Sequence, residues 1–321
     1  MSRTQISSTL VPSASVASQN IVNLLDNGGF EIWQRGTTNT TTWNPGNNSQ
    51  TVYFLADRWQ NVLYTNNGSS SITATVSQNS STVHDGSYSL EFNFTSITGQ
   101  CAFSLRQNIE TDNYLSGQTV TFSIWVNTTR TDIVPNIGDS VNGSTYGAAH
   151  PGDGQWHQLT VTHTVGANAI YCYPGLSAPN GAFLNTSAGA FYADSAMLVL
   201  GSTVSAFIPT HPATDLVRCQ RYFEMLTGAN GNQCIGIVTQ QPTQLAMVWP
   251  FKVTKRSLPT LTFSISNVSI YFVGTVSVTA IQSSQGDLNV YGFVVTLASS
   301  QTTGNSGVLL GGNTVQASAD I

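Results

Sequence analysis

One predicted strand places an aromatic side chain among hydrogen-bonding ones. In residues 121–127, TFSIWVN, a period of two puts Phe, Ile and Val on one face and Trp125 on the other, beside Thr, Ser and Asn. An aromatic ring flanked by hydroxyl and amide groups on a solvated sheet face is an arrangement that can bind sugars. The alternative is that loops or a neighbouring subunit cover this face, which would make Trp125 an interface residue.

The same alternation adds four candidate ligand contacts on other predicted strands. Glu91 and Arg106 each fall among polar residues and opposite apolar ones, and Tyr171 and Tyr173 share a face of their strand. With Trp125, these four residues form the predicted glycan-binding set.

Catalytic motifs are not evident in the sequence. The 5 His residues lie near no Gly-x-Ser-x-Gly elbow and no His-Glu-x-x-His pair. A glycosidase needs two carboxylates about 5–9 Å apart, and Glu31, Asp57, Glu91 and Asp194 are candidates only by number. No internal repeat of the kind that a β-helical depolymerase carries is visible. We therefore expect a protein that is not an enzyme.

The composition favours a packed all-β protein. Only 8% of the 321 residues are charged and 40% are hydrophobic, with frequent β-branched and aromatic side chains. The net charge of -5 and the scattered Lys and Arg residues argue against nucleic acid. No run approaches the roughly 18 apolar residues of a membrane span. The 4 Cys residues have no C-x-x-C spacing and are expected to be buried free thiols of a protein made in a reducing cytoplasm.

The chain divides into three predicted parts. Residues 1–20 are polar, have no amphipathic period, and are expected to fray or to become ordered against a partner. Residues 21–209 contain strictly alternating segments separated by Gly, Asn, Asp and Ser turns, which predicts a β-sandwich. Residues 213–321 are expected to be a smaller β-domain that begins with a short helix over 213–225, capped by Thr214 or Asp215.

An ordered series of short motifs resembles known proteins. The motifs are NGGFE (27–31), GSYSL (86–90), GQTVTFSIW (117–125), GQW (154–156) and FYADSAML (191–198). The series resembles the jelly-roll carbohydrate-binding modules that are appended to glycanases. With WQRG (33–36) and ADRW (56–59) added, it resembles a module of structural proteins of tailed bacteriophages, chiefly tail fibres. Residues 219–222 (CQRY), 256–260 (RSLPT) and 319–321 (ADI) are similar to the C-terminal half of such phage proteins.

The resemblance implies a role in a virus particle. It implies an all-β fold, a jelly-roll β-sandwich followed by a smaller C-terminal β-domain, in a virion protein assembled in the host cytoplasm. It further implies a homotrimer whose arm, residues 1–20, anchors it to other virion proteins. The first expectation is a tail fibre or adhesin that binds host surface glycans. The alternatives are a capsid decoration or head-fibre protein that stabilises the shell, and a carbohydrate-active enzyme module.

The resemblance also implies a structural calcium ion. Glu31 and Asp194 match the positions that supply its carboxylate ligands in the modules, and backbone carbonyls and water would complete a shell of about six to eight oxygens. Ser195 stands where the family often has a second Asp. The alternative is that both carboxylates cap loops by accepting backbone N–H groups.

The first motifs contain several of the chain's few charged residues. Because unpaired charges are costly to bury, we expect Arg35 to pair with Asp57, or Arg58 to pair with Glu31. We expect Trp33, Trp59 and Trp156 to be core or sandwich-edge anchors rather than ligand contacts.

Overall fold

A computed structural model describes residues 21–45, 48–110, 114–227, 235–238, 241–270, 273–309 and 313–320. The predicted arm, residues 1–20, lies outside the described residues, as do Cys234 and Ile321. The predicted fold class is confirmed: the chain is all-β, with one short helix between a jelly-roll β-sandwich and a smaller β-domain. No helix in the described ranges is long and apolar enough to cross a membrane.

The described part of the sandwich contains thirteen strands. They are β1 Thr38–Trp43, β2 Ser49–Phe54, β3 Gln60–Thr65, β4 Ser71–Asn79, β5 Ser89–Thr98, β6 Cys101–Arg106, β7 Ile109–Glu110, β8 Thr119–Thr128, β9 Val134–Asp139, β10 Gly143–Tyr146, β11 Trp156–Thr164, β12 Tyr171–Ser177 and β13 Gly189–Leu200. One sheet has the order β1-β4-β5-β13-β8-β11. The other has the order β10-β9-β12-β6-β3-β2, with β7 paired to β12.

The core lies between the two sheets and follows the alternation of the sequence. Phe92 and Phe94 of β5, Phe103 of β6 and Phe191 of β13 form an aromatic cluster, with the ring centroids of Phe92 and Phe103 5.4 Å apart. The residues that alternate with Trp125 on β8 are all buried. Trp59 is fully buried and donates its indole N–H to the carbonyl of Asn27, as expected for a core anchor.

The helix α1, Pro212–Gln220, is shorter than predicted and has a different cap. His211 precedes it and accepts the N–H of Ala213 through Nδ1 (3.2 Å). Asp215 does not cap the helix: it accepts the N–H of Asn27 (2.9 Å) and thereby holds the helix against the sandwich. The prediction failed beyond Gln220 because Phe223–Thr227 pairs with another strand, so tertiary pairing overrides the helical pattern.

The C-terminal β-domain consists of a barrel and a small sheet. Its strands are β14 Phe223–Thr227, β15 Ile235–Val238, β16 Gln244–Pro250, β17 Thr260–Ser264, β18 Asn267–Ile270, β19 Gly274–Gly286, β20 Val290–Leu297, β21 Ser306–Leu309 and β22 Thr314–Ser318. A closed barrel has the order β15-β16-β20-β19-β18-β21, and β14-β22-β17 form a three-stranded sheet. Barrel closure pairs the edges that an open sheet would leave free.

One ion pair of the first motifs, between Arg35 and Asp320, connects the two domains. Arg35 lies 4.0 Å from Asp57, as predicted, and also pairs with Asp320 near the C-terminus. The prediction that Arg58 pairs with Glu31 is wrong, because Arg58 pairs with Asp26 at 3.0 Å.

The three described cysteines, Cys101, Cys172 and Cys219, are buried free thiols, as expected.

Candidate functional site

A groove with a volume of about 440 Å³ crosses the outer face of the seven-stranded sheet. This surface, called the sheet groove below, is lined by aromatic rings, small residues and a few polar side chains. Its lining residues are Gln50, Val62, Tyr64, Asn66, Ala102, Phe103, Ser104, Arg106, Asn136, Ser144, Tyr146, Tyr173, Ser177, Ala178, Pro179, Gly181, Ala182 and Phe183. Two residues of the predicted glycan-binding set, Arg106 and Tyr173, are among them.

Strand register places the polar groups of the sheet groove in one row. Gly175 of β12 pairs with Arg106 of β6 on one side and with Asn136 of β9 on the other. A Cβ atom on Gly175 would lie 2.1 Å from the carbonyl oxygen of Leu105. The missing side chain of Gly175 therefore lets β6 and β12 approach closely, and the guanidinium group of Arg106 and the amide of Asn136 lie on either side of it and both line the sheet groove.

Tyr173 forms part of the floor of the sheet groove because its cross-strand neighbour has no side chain. Gly138 pairs with Tyr173, and a Cβ atom on Gly138 would lie 2.3 Å from the ring carbon Cζ. The ring thus lies across the neighbouring strand, and its hydroxyl is 3.2 Å from Oγ of Ser144. Tyr171 extends this aromatic surface beyond the groove: it is 40% exposed, and its ring centroid is 5.7 Å from that of Tyr173.

Arg106 is held in place through one edge of its guanidinium group. Nε donates to Oε1 of Gln60 (2.9 Å), and Cζ lies 5.1 Å from the ring centroid of Tyr173. Burial lowers the pKa of Arg106, against the smaller opposing effects of Tyr173 and Tyr171. The Nη groups, which carry the remaining donors, are therefore available to a ligand in the groove.

The other predicted glycan contacts lie on the six-stranded sheet. Glu91 accepts hydrogen bonds from Ser77 and Asn79, both at 3.2 Å. Trp125 is stacked against His84, with ring centroids 3.9 Å apart, so one face of its ring is occupied. Thr121 shares the face of Trp125 but is buried, and it donates to the carbonyl of Gly201. Loops thus cover part of this face, in the manner of the alternative stated for Trp125. The structure does not bring Trp125 and Glu91 together with Arg106, Tyr171 and Tyr173.

Glu31 and Asp194 hold the same loop from two sides. Oε1 of Glu31 accepts the N–H groups of Ser87 (2.6 Å) and Tyr88 (3.3 Å). Oδ2 of Asp194 accepts the N–H groups of His84 and Asp85, both at 2.9 Å. Burial raises the pKa of Asp194 to about 6, against the lowering effect of these N–H groups.

Glu31 and Asp194 are engaged by backbone donors, as the loop-capping alternative expects. Oδ1 of Asp194 accepts a further N–H, from Ser195, so both of its oxygens are engaged by backbone donors. For Glu31 the engaged oxygen is Oε1. Loop capping accounts for the geometry without an ion, and the calcium site stays a prediction from the resemblance.

His150, Asp153 and His157 form a second cluster with ligand-type atoms within 4.8 Å of one another. Nδ1 of His150 accepts the N–H of Gly152 (2.9 Å), and Nε2 faces the carbonyl oxygens of Val126 and Gln155. Both ring nitrogens of this buried side chain are engaged, so it has no free lone pair for a metal. The hydrogen bonds of this cluster stabilise the loop before β11.

Sequence reasoning missed Asn136, Gly138 and Gly175, which shape the sheet groove. The strand that carries the first two contains Pro135, and proline within a run argues against a strand. A count of alternate positions from Ile137, which is buried, would have placed Asn136 and Gly138 on the opposite face. That these two residues lie near Arg106 could not be predicted in this way, because it depends on the order of the strands in the sheet.

Comparison with known proteins gives distant likenesses only. No protein-family model matches the chain, and no curated protein matches it. A family 61 carbohydrate-binding module solved with β-1,4-galactotriose is 14% identical, over 56% of this chain and 99% of the module, with a TM-score of 0.34. Tailspike protein 4 of bacteriophage CBA120 is 14% identical, over 56% of this chain and 21% of that protein, with a TM-score of 0.36. A cyclase from Fischerella is 11% identical, over 58% of this chain and 98% of that protein, with a TM-score of 0.34. No ligand or activity follows for this chain from likenesses this distant.

Proposed function

We propose that the sheet groove binds a saccharide and that the protein is a non-enzymatic adhesin. The observation that carries the proposal is the row of Arg106, bare Gly175 and Asn136 beside the ring of Tyr173. A sugar presents apolar C–H surfaces and hydroxyl groups together. The sheet groove offers aromatic rings for the former and a small number of positioned polar groups for the latter, which is the usual composition of a ligand site.

Binding requires no movement of the backbone in this arrangement. The pyranose ring packs against Tyr173, the Nη groups of Arg106 donate to ligand oxygens, and the amide of Asn136 bonds a ligand hydroxyl. These side chains project from paired strands, so little conformational entropy is lost when a ligand orders them. Tyr64, Tyr146 and Phe183 along the groove add apolar surface for neighbouring sugar units.

The test is a glycan array probed with the full chain and two matched variants. Tyr173→Ala removes the floor of the sheet groove, and Trp125→Ala removes the half-buried ring on the six-stranded sheet. We expect array binding that is weakened in Tyr173→Ala and kept in Trp125→Ala. Loss in Trp125→Ala alone would move the site to the other sheet, and an absence of binding by the wild type would refute the proposal.

The ordered motifs of the sequence support a place for this adhesin in a phage virion, as a trimer anchored through residues 1–20. A surface that includes the first described residues favours protein contacts: the apolar side chains of Ile21, Val22, Leu200 and Val204 line a depression of about 590 Å³. Exposed apolar surface of this kind is typical of interfaces. Light scattering at micromolar concentration should give the mass of a trimer, and a monomer there would count against it.

The alternative role is capsid decoration, in which the sandwich contributes cohesion rather than host binding. It shares the anchoring arm and differs in where the protein is attached. Immunogold labelling of intact particles distinguishes the two, because an adhesin is expected on the tail and a decoration protein on the shell.

A further inference from the structure

Arg106 differs from the other described arginines in its electrostatic partners. Six of the seven arginines in the described ranges lie within 4.0 Å of a carboxylate. The pairs are Arg35 with Asp57 and Asp320, Arg58 and Arg218 with Asp26, Arg130 with Asp132, and Arg221 and Arg256 with Glu110. Arg106 has no carboxylate partner among the described residues, although it is partly buried.

The sheet groove contains no compensating negative charge. None of its described lining residues is Asp or Glu, and Arg106 is the only charged side chain there. In a chain with a net charge of -5, this is a local positive site. Taking an unpaired cation partly out of water costs free energy, and a bound anion offsets part of this cost.

A buried polar atom in the sheet groove lies on the other side of Gly175 from Arg106. Asn136 is 4% exposed, it lines the sheet groove, and its Oδ1 has no hydrogen-bond partner. Adjacent strands are about 4.8 Å apart, so the strands of Arg106 and Asn136, with Gly175 between them, are separated by roughly 10 Å. This span accommodates one sugar ring with its substituents.

We propose that the sheet groove selects an acidic saccharide, whose carboxylate pairs with Arg106 while a hydroxyl of the same sugar donates to Asn136. The inference rests on the proposed saccharide binding and adds the ligand class, a uronic acid or another carboxylate-bearing sugar. The planar guanidinium group donates two parallel N–H bonds to a carboxylate, and such charge-assisted pairs are about twice as strong as neutral hydrogen bonds.

The experiment measures affinity by calorimetry for acidic ligands and their neutral counterparts. The probes are polygalacturonate, alginate and hyaluronan oligosaccharides, each beside its carboxyl-reduced form, together with a sulfated neutral dextran. For at least one acid we expect roughly ten- to hundredfold tighter binding than for its reduced form. The preference should weaken with added salt because a partly exposed ion pair is screened.

Two arginine variants separate the groove from general charge. Arg106→Gln should remove the preference for the acid, so that the acid and its reduced form bind alike, and it should weaken binding of the acid more than binding of the reduced form. Arg221→Gln removes the same charge from an arginine outside the sheet groove and should leave the preference intact. A cooperative unfolding transition is the check that each variant is folded. Arg106→Lys should retain part of the preference because it keeps the charge without the planar fork.

The outcomes distinguish this inference from the proposed function. Equal binding of acid and reduced forms would overturn the inference and leave saccharide binding in place. Equal binding of sulfated dextran, or an equal loss in Arg221→Gln, would replace carboxylate recognition by general charge attraction and would also overturn it. If neither acidic nor neutral saccharides bind, the proposed function fails as well.

Discussion

Substitution of Gly138 by Ala tests whether a missing side chain creates the floor of the sheet groove. The added Cβ would lie 2.3 Å from Cζ of Tyr173, whereas carbon atoms in contact are about 3.5 Å apart. The ring must therefore retreat by about 1.2 Å, the difference between the two distances. Because this ring is the end of a flexible side chain, it can move while the backbone stays in place.

The expected loss is in binding rather than in stability. The displaced Tyr173 ring loses its contact with the ligand, for which about 0.5–1.5 kcal/mol, or roughly two- to tenfold in affinity, is a reasonable scale. The hydrogen bond of 3.2 Å to Ser144 is also lost, at about 1 kcal/mol. Replacement of a strand glycine by alanine stabilises the folded state by a similar amount. The free energy of unfolding should therefore change by less than about 1 kcal/mol.

Gly175→Ala is the matched comparison. Its Cβ would lie 2.1 Å from the backbone oxygen of Leu105 and 2.8 Å from Cα of Arg106. Backbone atoms cannot rotate away, so the pairing of β12 with β6 must shift, and overpacking of this kind costs about 1–3 kcal/mol. Urea unfolding and calorimetric titration with the array-identified glycan should rank Gly175→Ala as the less stable variant and Gly138→Ala as a folded, weaker binder.

A double-mutant cycle with Tyr173→Ala tests whether Gly138 acts through the Tyr173 ring. In a Tyr173→Ala background the ring is already absent, so Gly138→Ala should cause no further loss of affinity. If Gly138→Ala weakens binding as much there as in the wild type, the glycine acts through something other than the ring, and the reasoning is wrong.

Three further predictions concern stability. Burial raises the pKa of Asp194 from 3.8 to about 6. As the pH rises from 4 to 7, the free energy of unfolding of the wild type should therefore fall by up to about 3 kcal/mol relative to that of Asp194→Asn, as measured in urea titrations. Lys255 is fully buried, and its Nζ donates to Glu224 (2.7 Å). Lys255→Met should therefore lower the free energy of unfolding by about 3–5 kcal/mol in urea titrations. Lys252→Met, at an exposed site, should leave the free energy of unfolding unchanged. Loop capping by Glu31 and Asp194 predicts a melting temperature that EDTA does not alter.

Each of these predictions has a contrary result. Parallel pH profiles for wild type and Asp194→Asn would mean that this carboxyl group titrates alike in the folded and unfolded chain. A mild effect of Lys255→Met would mean that water reaches Glu224. A melting temperature that rises with added calcium and falls with EDTA would establish the ion site that the resemblance implies.

Much of the fold could be predicted from local patterns. Alternation identified the buried face of β8, because side chains in a strand point to opposite faces whatever the strand pairs with. Other strands were missed because they carry no such pattern: β1 is rich in Thr, and β21 lies within a stretch of Gly, Ser and Thr that resembles a tail. These segments are recognised as strands only from their pairing with neighbouring strands, because their residues do not alternate between apolar and polar.

The sequence by itself determined the class of fold, the faces of its clearest strands and the polar or aromatic character of Arg106 and Tyr173. Only the tertiary structure decided that these two residues share a groove with Asn136 while Trp125 lies on the opposite sheet. The physical reason is that a strand's own residues set which side chains share a face, whereas strand order and register set which faces meet. Strand order depends on the closure of long loops and on sheet packing, and neither can be predicted from local residue patterns.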